Sequence, residues 1–192
     1  MKTKIVLFFF VLFIASSCLG QNSFKDSLFH AGINRILDDL PNDFKKLRGK
    51  EIFEHNSYYY QRFATTFSLP NTSKSFITAK YEMMGGLVYT FHSCWNFPMK
   101  DSLLIRTKAD SIGKLLTSCV YNCCQTMQTK DYSNKANYFR FFYTDGKKAG
   151  LPDKYENVYM EITISKESIK KGIKGFVIHL EIREEELPKG SE

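Results

Sequence analysis

The sequence predicts an α+β fold, an antiparallel sheet of about six strands with two helices packed on one face. Two stretches repeat apolar residues at spacings of three and four, which is the signature of an amphipathic helix. Six other runs are rich in Tyr, Phe, Thr and Ile with alternating apolar positions, and turn residues separate most of them. Helices segregated from a meandering sheet in this way define the class. The order of helix and three strands, met twice, reads as an αβββ-αβββ duplication whose halves, 21–100 and 101–183, make one domain over 21–183.

The chain begins with an export signal at 1–20. Lys2 and Lys4 precede an apolar run from Ile5 to Ala15, followed by Ser16, Ser17, Cys18, Leu19 and Gly20. A membrane-spanning helix needs roughly 20 apolar residues, whereas a charged start, a short apolar middle and a small-residue exit match a cleaved signal peptide. Cleavage before Gln21 yields a secreted or periplasmic protein. Ala15-Ser16-Ser17-Cys18 resembles the lipobox of bacterial lipoproteins, although Leu is usual where Ala15 stands; the resemblance implies the alternative of a lipid anchor at Cys18. No later apolar run is long enough for a membrane span.

Phe29, Ile33, Ile36, Leu37, Leu40 and Phe44 form the apolar line of the first helix. Pro41 ends its regular part at Leu40, and Asn42 or Asp43 caps a short continuation through Leu47 to Gly49. Strands follow at Tyr58–Leu69, Phe76–Met84 and Leu87–Trp95, the last two joined by a Gly85-Gly86 hairpin turn. The second helix spans Asp101 to Cys124 on the line Leu104, Ile105, Ala109, Ile112, Leu115, Leu116, Cys119 and Cys123. A polar connector, Gln125 to Ala136, leads to strands Tyr138–Thr144, Val158–Ser165 and Phe176–Arg183, with Lys171-Gly172 turning between the last two. Residues 184–192 are a polar tail. Tyr60-Gln61-Arg62-Phe63 and Tyr138-Phe139-Arg140-Phe141 occupy matching places in the two halves, as do His92 and His179 at the ends of apolar strand runs. In topology alone this plan is similar to the duplicated unit of secreted beta-lactamase inhibitory proteins, a similarity that assigns no site residue.

Alternate strand residues face opposite sides of a sheet. The more apolar set faces the helices: Phe63, Ile77, Ala79, Tyr81, Leu87, Phe91 and Trp95 in one half, Val158, Met160, Ile162, Phe176, Ile178, Leu180 and Ile182 in the other. The opposite face carries Tyr58, Tyr60, Arg62, Lys80, His92, Tyr138, Arg140, Phe142, Tyr159 and His179 as candidate binding residues, with Phe76, Glu161 and Glu181 among them. Tyr and Arg are enriched where proteins bind one another, so this face predicts an exported, non-enzymatic module that docks a protein partner. The competing readings are a small envelope hydrolase using Cys or His and a glycan-binding protein. His92 and His179 would make binding sensitive to pH, since imidazole titrates near neutrality.

Other chemistries find little footing. There is no Gly-rich phosphate loop, Gly-x-Ser-x-Gly, His-Glu-x-x-His or calcium loop, and no cofactor is expected. The balance of 27 Lys and Arg against 20 Asp and Glu, a formal charge of +7, suggests nucleic acid at first sight. Export argues against that partner, and two of the lysines leave with the signal peptide. Cys94, Cys119, Cys123 and Cys124 are disulfide candidates in an oxidising compartment, either with Cys94 bonded to Cys123 or Cys124 and Cys119 to the other, as a staple between sheet and second helix, or with one bridge and two free thiols. A zinc site using His55 or His92 has poor ligand spacing, Cys-x3-Cys-Cys, and no metal is expected. Asp38-Asp39 reads as solvated charge, and Asn71-Thr72-Ser73 as an unused glycosylation pattern. Asp26-Ser27-Leu28, Asp101-Ser102-Leu103 and Asp110-Ser111-Ile112 resemble the short O-glycosylation acceptor motif of Bacteroidota.

Overall fold

The structure, a computed structural model, describes residues 26–52, 60–82, 86–121, 124–130, 139–143 and 158–184. It is an antiparallel sheet with two helices, the α+β arrangement expected from the sequence. Helix α1 covers 26–39 and is followed by a 3-10 turn at Leu40–Asn42 that carries Pro41 in its first turn. Strands β1 (Arg48–Glu51), β2 (Tyr60–Thr65), β3 (Lys74–Glu82) and β4 (Gly86–Pro98) come next. After α2 (Ser102–Thr117) come β5 (Val120–Tyr121), β6 (Cys124–Lys130), β7 (Phe139–Tyr143), β8 (Val158–Lys170) and β9 (Ile173–Glu184). All are antiparallel to their neighbours, in the order β1-β2-β3-β4-β9-β8-β7-β6-β5.

The six predicted strands are β2, β3, β4, β7, β8 and β9, and three short or polar ones extend the sheet at its edges. Residues 43–49 do not continue the first helix. Asp39 is buried at 3% exposure, and its Oδ2 accepts the N–H groups of Lys46 (2.8 Å) and Leu47 (2.9 Å), folding the chain back into β1. Asp43 and Phe44 both take the left-handed conformation, φ 56°, inside that reversal. Such a φ is uncommon for a bulky residue; Phe44 holds it because its ring is fully buried, 6.0 Å from that of Phe91. Cys124 and residues 125–130 of the expected connector form strand β6, and α2 ends at Thr117. Gly86 pairs with Glu82 as the first residue of β4, so it belongs to the strand and not to the turn. Lys171-Gly172 is a two-residue turn as expected, with Gly172 at φ 76°. Glu184 closes β9 opposite Val158 and is not tail.

Both helices share one core with the sheet. Phe29, Ile33, Ile36 and Leu37 of α1 and Ile105, Ala109, Ile112 and Leu116 of α2 pack in a single buried cluster with Ile77, Phe91, Trp95 and the apolar residues of β8 and β9. At roughly 1.5–3 kcal/mol per fully buried large side chain, this layer is the main stabilising term. Leu104 on α2 and Tyr81 near the hairpin end of β3, both in the predicted apolar lines, are exposed instead. His30 on α1 bonds the C-terminal turn of α2, its Nε2 lying 3.1 Å from Leu115 O and from Ser118 Oγ.

The β4–β9 seam lies at the middle of the sheet, where nine successive residues pair from Thr90↔Arg183 to Pro98↔Gly175. His92 pairs with Glu181 and Cys94 with His179. Residues 1–25, Tyr58, Met83, Cys123, Tyr138 and 185–192 lie outside the described residues.

Candidate functional site

The register sorts the polar face into rungs that run across the sheet. One rung reads Arg62, Thr78, Thr90, Arg183, Tyr159, Phe142, and its neighbour Ala64, Phe76, His92, Glu181, Glu161, Arg140. The second rung places two carboxylates directly opposite each other, an arrangement that is unfavourable alone. Its relief is also in the register, which sets His92 beside Glu181. Thus Tyr60, Arg62, Lys80, His92, Tyr159 and His179 share one face, while the side chains of Arg140 and Phe142 lie outside what the structure describes.

His92 is held on three sides. Its Nδ1 lies 3.4 Å from Glu181 Oε1, its Nε2 2.8 Å from Thr78 Oγ1, and its ring stacks on Phe76 at 4.6 Å and 10°. With Nδ1–H donated to the carboxylate, Nε2 accepts the Thr78 hydroxyl proton. The hydrogen bond from His92 holds the Glu181 carboxyl below the usual carboxylate range, against the opposing effect of burial. Above this stack the Arg62 guanidinium sits 3.9 Å from the Phe76 ring centre, a cation–π contact. Tyr60 is exposed and pairs with exposed Lys80 at the start of β2.

A second relay crosses the seam beside the first. His179 Nε2 lies 2.7 Å from Glu167 Oε1 and 3.0 Å from Ser165 Oγ, while its Nδ1 is 3.5 Å from Cys94 Sγ. Ser165 Oγ donates to the same Glu167 oxygen at 2.5 Å. That bond and the one from His179 hold the Glu167 carboxyl low. Burial pushes the Cys94 thiol up to about 11, because the thiolate would lose its hydration. Nearby, Tyr159 O–H donates to Glu161 Oε2 at 2.7 Å, and Arg183 covers the Tyr159 ring at 5.0 Å.

This face is less open than the alternation of its residues suggests. Tyr159 and Cys94 are fully buried, and Thr78 and Thr90 nearly so; Tyr159 is therefore a packing residue and not a contact surface in this conformation. Among the described residues the face is open at the β2–β3 end, with Tyr60, Lys80 and half-buried Arg62, and again at Lys74 and Glu167. Sequence reasoning missed Thr78, Ser165 and Glu167. Glu167 was discoverable, because the tight turn at Lys171-Gly172 requires paired strands right up to it.

The expected staple from Cys94 to the second helix is absent. Cys94 and Cys119 are both free thiols, and no disulfide joins described residues. Cys94 lies on the face that meets His179, while Cys119 is buried in the helix-side core, where desolvation pushes its thiol up to about 12. Among the described residues no group of three or more His, Cys, Asp or Glu side chains is placed to hold a metal ion. Among them also, no helix is long and apolar enough to cross a membrane.

The helix side has a separate opening, a pocket of about 500 Å³ between the start of α1, the middle of α2 and the end of β4. Phe29, Trp95, Phe97, Ile112 and Leu115 give it apolar walls, and nothing in the sequence pattern singled it out. Comparison with protein-family models, curated proteins and solved structures finds no match for this chain.

Proposed function

We propose that this chain is an exported, non-enzymatic binding module that docks a protein partner through the β2–β3 end of its polar sheet face. The observation that carries the reading is the ordered stack of Arg62 on Phe76 on His92, next to the exposed Tyr60–Lys80 pair. Side chains already fixed before contact lose little entropy on binding, and Tyr and Arg are the residues that most often dominate protein interfaces. Export rests on the charged, apolar and small-residue pattern of residues 1–20, with the mature chain starting at Gln21.

Cross-linking in the intact envelope tests the reading. The triple variant Tyr60→Ala, Arg62→Ala, Lys80→Ala is expected to lose the protein cross-links of the wild type while keeping its melting temperature. Cross-links that persist undiminished overturn it.

A second reading, thiol-dependent hydrolysis, has one observation in its favour: Cys94, His179 and Glu167 line up as thiol, imidazole and carboxylate. Against it stand the complete burial of Cys94 and a thiol pushed up to about 11, since reactive cysteines are accessible and readily ionised. Ester hydrolysis that disappears in Cys94→Ala would establish this reading over the first.

A further inference from the structure

We propose that the pocket at the junction of α1, α2 and β4 binds a neutral sugar, as a site separate from the polar sheet face. Its volume, about 500 Å³, falls in the range of small-ligand sites. Its walls are built before any ligand arrives. Trp95 Nε1–H donates to Pro70 O at 3.3 Å, which fixes the indole against the turn at 69–73. That turn is tied to β4 by Ser73 N–H donating to Cys94 O (2.7 Å) and by Asn96 N–H donating to Ser73 Oγ (2.9 Å). Asn71 holds the left-handed conformation, φ 59°, at the pocket rim.

The rim decides the ligand class. It carries one carboxylate, Asp26, one ammonium, Lys108, the amide of Asn71 and the hydroxyl of Ser111. A free anion meets Asp26, a free cation meets Lys108, and a wholly apolar ligand desolvates polar rim groups without replacing their hydrogen bonds. A sugar avoids all three penalties. Its hydroxyls both donate and accept, and its C–H face packs on aromatic rings, whose faces carry partial negative charge. Ser111 Oγ already donates to Thr107 O at 2.7 Å, so it presents an acceptor to the pocket.

Trp95 is the sole tryptophan of the 192 residues, so its emission has a single origin, at the wall of this pocket. Titration of the full mature chain with maltotriose, cellotriose, mannotriose and chitotriose is expected to give, for at least one of them, a saturable change with Kd of about 1 mM or tighter. Lys108→Ala, on the exposed side of α2, should weaken that sugar by about fivefold or more, near 1 kcal/mol. Ser111→Phe, on the same side, should abolish the response with circular dichroism unchanged. No response to any of the four sugars overturns the proposal, as does a response that survives both Lys108→Ala and Ser111→Phe. Saturable binding of decanoate with no sugar response also overturns it, assigning the pocket to amphipathic anions. Loss of envelope cross-links in the Tyr60, Arg62, Lys80 variant bears on the other face and leaves this result unaffected.

Discussion

Burial sets the chemistry of Cys94. A thiol 3.5 Å from an imidazole is poised for activation only if the thiolate is stable, and here burial raises its pKa to about 11. Peptide mapping after iodoacetamide treatment at about pH 8, below the ordinary thiol value, is expected to find Cys94 and Cys119 unmodified in the native protein and labelled after denaturation. Labelling of native Cys94 would contradict its burial. The glutamates across the seam respond to acid in a defined direction. Glu181 and Glu167 have their pKa lowered from 4.5 in the folded state, Glu181 chiefly by its hydrogen bond from His92, Glu167 chiefly by that from Ser165. A carboxyl depressed on folding contributes stability that is present above its unfolded pKa and lost as pH falls through the folded one. Melting temperature should therefore fall as pH drops below about 4.5, and Glu181→Gln should flatten that fall while lowering the melting temperature at neutral pH. A Glu181→Gln variant with the wild-type acid profile would show that the His92 pairing contributes nothing.

Single residues also fix how the elements join. A Cβ on Gly175 would lie 2.5 Å from Phe97 O and 2.7 Å from Ile169 Cδ1, and the first of these is backbone that cannot rotate away. Gly175→Ala is expected to force β9 from β4 at the end of the seam and to cost about 1–3 kcal/mol in urea unfolding. An unchanged midpoint would mean that the seam yields there without penalty. Asp39→Ala strands the buried N–H of Leu47 and removes the bond to Lys46, a loss of about 2–3 kcal/mol by the same measurement. The sequence pattern revealed what periodicity controls and little else. The α1 line is buried as its spacing predicts, and the alternation of β8 and β9 separates Ile162 and Ile178 from Glu161 and His179. Strands β1 (Arg-Gly-Lys-Glu) and β6 (Cys-Gln-Thr-Met-Gln-Thr-Lys) have no such alternation, because edge positions need little apolar surface. Asp39 looked like solvated charge because its partners are backbone N–H groups, invisible to a reading of side chains. The same blindness hid the closeness of Cys94 to Glu167, residues brought together only by the β4–β9 and β8–β9 registers.

At the scale of the molecule, the β4–β9 seam makes two helix-and-meander halves into one object. Each half ends in the strand that pairs with the other, and both helices contribute to one buried cluster beneath those strands. Phe91 and Trp95 of β4 pair in register with Ile182 and Ile178 of β9, so neither strand keeps its apolar face covered if the seam opens. The energetic consequence is cooperativity: opening the seam exposes core from both halves at once, and an intermediate with one half intact leaves its central strand paired on one side only. Trp95, on the seam, reports its local opening, whereas far-ultraviolet circular dichroism reports the whole sheet and both helices. In urea unfolding of the chain the two signals are expected to give coincident transitions with the same midpoint and slope, the behaviour of a single cooperative unit. A Trp95 transition that precedes the circular dichroism transition would show that the halves come apart before they unfold.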